Sequence, residues 1–281
     1  METLNSPVKH CGGLMVRMPH SARHELERLM ADTILYERAG HIGRLVLNNP
    51  EKHNSLGQKE LEGIQAALSE VAADPQVRVL VVTGAGGKTF CAGASLQELN
   101  AGKISGDTFQ NTTDQLAALE IPTVCAINGN VFGGGSELSL SCDFRIGIEG
   151  IRLRVPAAAI GLCYPLSGIN RFVERLGVSA AKRLLVASET FSADELLEIG
   201  FLDHLVMPAQ LDDKVNEYAE HIAALAPLSV RAMKKIIHQA AGSGIDYDIA
   251  QQLSDACSQS EDLQEGFAAQ REKREPRFKG R

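Results

Sequence analysis

The chain predicts a layered α/β fold. Three observations carry that prediction: short apolar runs ending in turn residues, helical apolar spacing between those runs, and a last stretch with helical patterns only. With 281 residues and 44% hydrophobic content, it has enough apolar side chain for one large core without covalent staples.

Residues 1–31 are polar and mixed in charge, with Lys9, Arg17, Arg23 and Arg28 set against Glu2, Glu25 and Glu27. They lack the apolar centre of a secretory signal and read as an N-terminal extension without assigned function, either loose or a short helix carrying Leu26, Leu29 and Met30. Ile34–Tyr36 and Arg44–Leu47 then read as strands, and Leu61, Ile64, Leu68 and Val71 recur at helical spacing, giving a strand, strand, helix unit. Val77–Val82 predicts a buried strand ending at Thr83-Gly84. Phe109–Leu119 predicts a helix, and Thr123–Ile127 and Phe144–Ile148 predict further strands. Ser192-Ala193-Asp194-Glu195 has the spacing of a capping box, closed by Gly200. These elements place a core over residues 32–211. Beyond Asp212 the patterns are helical, interrupted at Ala226-Pro227 and Gly242-Ser243-Gly244, and end in a basic tail.

Composition excludes several classes. A net charge of -7 gives no electrostatic footprint for nucleic acid. No apolar run approaches the roughly 18 to 20 residues that span a bilayer. The six cysteines, Cys11, Cys91, Cys125, Cys142, Cys163 and Cys257, form no C-x-x-C pair and read as reduced residues of a cytoplasmic protein, with Cys125 and Cys142 in apolar stretches. None of the eight histidines forms an H-E-x-x-H pair, so no metal is expected. Gly87-Lys88-Thr89 ends like a phosphate loop, but Val82 stands where its first glycine belongs. Gly84-Ala85-Gly86 begins like a dinucleotide fingerprint, but Thr89 takes the place of its last glycine.

One segment points to chemistry. Pro122–Gly129 is strand-like and leads into Gly133-Gly134-Gly135-Ser136-Glu137, where three glycines bare a stretch of backbone just before an acid and an apolar helical run. Such backbone lets an oxygen reach N–H donors beside a carboxylate. Ser136 lacks a nucleophile elbow, because Leu138 replaces the closing glycine of G-x-S-x-G.

Three blocks in order resemble the crotonase (enoyl-CoA hydratase/isomerase) superfamily from about Asp32 to Arg281. They are Leu47–Ser55, Thr83–Ser95, and Pro122–Asp143 with its glycine triplet. The resemblance implies a spiral of β-β-α units, a C-terminal helical oligomerisation region over 212–281, and a homotrimer or dimer of trimers. It also implies an acyl-CoA thioester substrate and no separate cofactor, since coenzyme A enters with the substrate. By the family pattern, the N–H groups of Ala94 and Gly134 hold the oxyanion of an enolate-like transition state, and Glu137 handles the proton. Glu137 meets two opposing influences: a helix start that favours the carboxylate, and an apolar pocket that favours the acid. The same resemblance places coenzyme A against Lys52, His53, Ala92, Ser95 and Leu96, with Phe278 and Lys279 of the tail at its nucleotide end.

The chain departs from the pattern in two places. Ser95 stands where an aspartate is usual. Pro156-Ala157-Ala158-Ala159-Ile160-Gly161 puts Ala157 where hydratases of this family carry a second glutamate, and Ala157 cannot transfer a proton. Cys163 and Tyr164 are the polar candidates nearby, with Tyr164 also readable as packing. One-carboxylate members of the superfamily run isomerisations, decarboxylations, hydrolyses and some hydrations. Three alternatives therefore stay open: a decarboxylase or hydrolase of the same superfamily, a non-catalytic acyl-CoA binding protein, and a serine hydrolase using Ser136.

Overall fold

The computed structural model describes residues 33–242 and 244–281. The expected extension at 1–31, with Cys11 and the Leu26, Leu29, Met30 helix, lies outside the described residues.

The chain opens with the hairpin β1 (Ile34–Ala39) and β2 (Ile42–Leu47), paired antiparallel from Ile34↔Leu47 to Ala39↔Ile42 around Gly40 at φ 59°. Helix α1 (Gln58–Ala73) follows, burying Leu61, Ile64, Leu68 and Val71 along one face. Each later turn of the chain then gives one strand to each of two sheets before a helix. The pairs are β3 (Val79–Gly84) with β4 (Thr89–Cys91), β5 (Thr123–Ile127) with β6 (Asn130–Phe132), and β7 (Phe144–Ile148) with β8 (Arg152–Arg154). The helices after them are α2 (Leu96–Asn100) and α3 (Gly106–Ala117), then α4 (Gly134–Leu140), then α5 (Leu166–Leu185). Strand β9 (Thr190–Ser192), helix α6 (Ala193–Glu198) and strand β10 (His204–Val206) close the spiral.

The larger sheet has the order β1-β2-β3-β5-β7-β10 and is parallel apart from the β1-β2 hairpin. Its central strands have no polar face, because both sides are covered. Val79–Val82 and Val124–Ile127 are accordingly near-continuous apolar runs, each residue at most 1% exposed. The smaller sheet, β4-β6-β8-β9, is built from strands of three residues each. None of them was legible in the sequence, since three residues are too few to show alternation. The capping box expected at Ser192 is formed, with Ser192 Oγ and the Glu195 carboxylate exchanging bonds with each other's backbone N–H.

Helices α7 (Leu211–Ala224), α8 (Pro227–Ala241), α9 (Tyr247–Ser258) and α10 (Glu261–Glu272) follow the last strand. Helix α7 lies on the larger sheet through Leu211, Val215 and Ala219. Helix α8 is anchored by Lys234, whose Nζ donates to Asp143 Oδ2 at 2.6 Å and to the Ile121 carbonyl at 2.7 Å.

Candidate active site

Two turns meet where the small sheet ends. After β4, Cys91-Ala92-Gly93-Ala94 runs beside Leu56, which bridges Ala94, while Ala92 N–H donates to the His53 carbonyl at 3.0 Å. Asn54 fixes that approach: buried and left-handed at φ 53°, it donates from Nδ2 to the carbonyls of Ala85, Thr89 and Phe90. After β6, Gly133 turns at φ 50° into α4. Gly93, at φ 80°, admits no side chain, because a Cβ there would sit 2.4 Å from Gly134 N. A Cβ on Gly134 would in turn lie 3.4 Å from Ala94 N and 2.5 Å from the Phe109 ring. The glycines thus bring two backbone amides side by side. Neither the Ala94 nor the Gly134 N–H donates to an acceptor among the described residues.

These turns form one wall of a cavity of about 230 Å³. Leu96, Leu99, Phe109, Pro156, Ala157, Ile160, Leu162 and Pro165 make most of its remaining lining apolar. Leu96, Ile160, Leu162 and Leu166 are exposed, the first and two middle ones at its rim.

Glu137 also lines this cavity, fully buried. Its Oε1 accepts from Thr113 Oγ1 at 3.1 Å and from Arg171 Nη1 at 2.9 Å, while Arg171 Nη2 donates to Asp114 Oδ1 at 2.6 Å. Oε2 has no partner among the described residues. Burial raises the proton affinity of Glu137, and Arg171, Tyr164 and Thr113 pull it back without cancelling the rise. Burial is the largest influence on Glu137 at this position.

Ala92, Ala94, Leu96, Gly134, Glu137, Ala157 and Tyr164 all line this one cavity, as does Cys163. Lys52 and His53 lie outside it on an exposed turn, with His53 Nδ1 3.1 Å from Thr89 Oγ1. Ser95 is outside too: its hydroxyl caps α2 by accepting from Glu98 N. Phe278 and Lys279 belong to a tail fixed on α10. Lys279 N–H donates to Asp262 Oδ1 at 2.7 Å, and the Phe278 ring lies beside Gly266. Ser136 is buried with its hydroxyl donating to the Gly133 carbonyl, and it does not line the cavity. That geometry removes the serine hydrolase alternative.

Arg171, Thr113 and Asp114 were not legible in the sequence. Thr113 and Arg171 reach Glu137 from two other helices while Asp114 holds Arg171, and no local spacing marks a contact between residues so far apart. Among the described residues, no group of His, Cys, Asp and Glu is placed to hold a metal ion, and no helix is long and apolar enough to cross a membrane.

A spiral of β-β-α turns carries two amides and a buried acid on one apolar cavity, and comparison with known proteins gives the family of the fold. Residues 37–281 match the family model described as Enoyl-CoA hydratase/isomerase. A crotonyl-CoA hydratase of Syntrophomonas wolfei is 33% identical over 258 residues, covering 88% of this chain and 98% of the relative. A short-chain-enoyl-CoA hydratase of Clostridium acetobutylicum is 30% identical over 250 residues, covering 86% and 96%. The crystal structure of an enoyl-CoA hydratase from Bacillus anthracis superposes with a TM-score of 0.83 at 33% identity, covering 89% of this chain and all of that one (100%). The chain belongs to the enoyl-CoA hydratase/isomerase family.

Proposed function

We propose that this protein acts on an enoyl-CoA or a closely related acyl-CoA thioester, moving a proton at the carbon beside the thioester carbonyl. One observation carries the reading: two uncommitted backbone amides and a buried carboxylate with one free oxygen share a single apolar cavity. As a proton leaves or joins that carbon, or water adds across the conjugated double bond, negative charge gathers on the carbonyl oxygen. Ala94 and Gly134 N–H receive it, and loss of one such donor in other enzymes costs about 2.7 to 4 kcal/mol. Glu137 moves that proton, or takes one from the attacking water, through Oε2. Its raised proton affinity brings it closer to the neutral pH at which such a group transfers protons both ways.

The acyl group occupies the apolar cavity and leaves the rest of coenzyme A outside. Leu56 links the cavity turn to the Lys52-His53 turn, so the nucleotide end runs toward Lys52, His53 and Ser95, with Phe278 and Lys279 supplied by a neighbouring copy. The exposed Met233, Ile237, Tyr247 and Phe267 on α8, α9 and α10 support an oligomerisation role for 212–281 and a trimer or dimer of trimers. The relatives named as hydratases support water as the co-substrate. Ala157 in the cavity wall favours a second reading, an acyl-CoA binding protein without turnover.

The deciding experiment incubates the protein with a panel of enoyl- and β-oxoacyl-CoA esters in deuterated water and follows products by mass spectrometry. Deuterium is expected at the carbon beside the thioester, and Glu137→Gln is expected to abolish its uptake while CoA-ester binding persists. Binding without uptake by the unmodified protein would establish the second reading.

A further inference from the structure

We propose that the phenol of Tyr164 is the second proton-transfer group of this site, working with Glu137 on a cavity whose wall carries alanine at position 157. The proposal rests on the enolate reading given above and goes beyond it by naming the acid.

Tyr164, Glu137 and Ala157 line the same cavity. The Tyr164 hydroxyl and Glu137 Oε2 are both buried; neither completes hydrogen-bond geometry with a described residue, yet the phenol lies close enough to lower the proton affinity of Glu137. Two buried polar atoms that complete no bond with the protein cost on the order of 1 to 3 kcal/mol each, a cost that a bound substrate or water would relieve. Phenylalanine would fill the same space.

The ring and the carboxylate press on one point of the backbone. A Cβ on Gly168 would lie 2.6 Å from Tyr164 Cε1 and 2.8 Å from Glu137 Oε2, so the absence of a side chain there lets both approach α5. Phe172 holds the ring edge-on, with centroids 5.7 Å apart and planes at 85°. Because Oε1 is committed to Thr113 and Arg171, Oε2 is the oxygen left to work with the phenol. The other polar side chains on the cavity are already engaged. Ser105 Oγ caps α3 by accepting from Thr108 N at 3.1 Å, and the exposed Cys163 thiol makes a 3.7 Å contact to the Tyr164 carbonyl.

Burial first, and then the charge of Glu137, raise the proton affinity of Tyr164 well above that of a free phenol. It therefore keeps its proton at neutral pH and serves as the donor, with Glu137 as the acceptor. Two groups with proton affinities set apart by their surroundings divide acid and base roles in this way. In hydration, Glu137 Oε2 takes a proton from water as the water oxygen bonds to the β-carbon, and the double-bond electrons move into the enolate. The enolate's α-carbon then takes the phenolic proton: a C–H bond forms, the O–H bond breaks and a phenolate remains. Protonated Glu137 returns its proton to that phenolate. The net change is one water added, with both side chains restored.

The test uses the full-length protein and the CoA ester of the panel that exchanges fastest. Tyr164→Phe keeps the ring and its contact with Phe172 and removes only the hydroxyl. Turnover is expected to fall about 100-fold or more, with the ester's Kd within twofold and the melting temperature not lowered. Fluorotyrosine at position 164, a more acidic phenol, is expected to move the alkaline limb of the kcat profile to lower pH, which a packing role would not do. Adding Ala157→Glu to Tyr164→Phe is expected to restore part of the lost rate. Wild-type turnover by Tyr164→Phe, alongside a Glu137→Gln variant that is dead, overturns the role of Tyr164 and leaves the enolate reading standing. Unchanged exchange in Glu137→Gln, or no exchange with any ester, overturns both.

Discussion

Replacing Arg171 with methionine removes the cation that contacts the buried carboxylate of Glu137, with Nη1 at 2.9 Å from Oε1. At about 4 Å between charge centres and an effective dielectric near 20, the attraction is about 4 kcal/mol. Asp114 holds the same guanidinium at 2.6 Å and repels Glu137, so we assign roughly half of that attraction, about 2 kcal/mol, to the ionised form of Glu137. That is roughly a 30-fold change in proton affinity. The sign follows from the charge: without the cation the neutral acid is favoured, so the acid limb of the kcat/KM profile moves to higher pH. Activity on that limb is expected to fall roughly 30-fold and to recover as the pH is raised. Arg171→Lys, which keeps the charge, is expected to move the limb much less, and Asp114→Asn is expected to move it to lower pH. The assay is the initial rate of α-deuterium exchange or hydration against pH, with circular dichroism as the folding control. A limb that stays in place in folded Arg171→Met, or that moves the same way in Arg171→Met and Asp114→Asn, would refute this account of the site.

Gly93→Ala is expected to displace the Gly134 amide, since the new Cβ would lie 2.4 Å from its nitrogen and the residue would be held at φ 80°. Turnover should drop about 100-fold or more; a near-native rate would show that this amide takes no part in catalysis. Ala157→Glu in the otherwise unchanged protein is expected to raise crotonyl-CoA hydration, and no gain would show that the substrate is seated away from position 157. Burial alone would raise the proton affinity of Asp143, but His238 and Lys234 overcome that and bring its pKa down to about 2. The resulting stability, about 2 kcal/mol, is fully present above the unfolded value of 3.8 and is lost as the pH falls toward about 2. Urea unfolding at pH 6 and pH 3 should show about half of that loss, roughly 1 kcal/mol, in the native chain and much less of it in Lys234→Met. The same variant leaves a buried carboxylate without its ammonium partner and is expected to be destabilised by roughly 3 to 5 kcal/mol at pH 6.

The elements readable along the chain are those that local chemistry enforces. Apolar runs such as Val79–Val82 and Val124–Ile127 make strands wherever they are buried on both faces. The Ser192 and Glu195 pair starts a helix through bonds that span only one turn. Gly93, Gly133 and Gly134 announce backbone that must pass close to something, and Glu137 follows within the next turn. How these pieces act together came from packing in space. That packing formed the second sheet from strands too short to carry a pattern, and brought Thr113 and Arg171 onto one carboxylate from two separate helices, with Asp114 holding the far side of Arg171. It placed Ser136 away from the cavity and Tyr164 in its wall. It also set the proton affinity of Glu137, since burial raises it, Arg171, Tyr164 and Thr113 lower it, and only the packed surroundings fix how much water is excluded. Period and capping are properties of neighbours along the chain, whereas desolvation and ion pairing depend on neighbours in space.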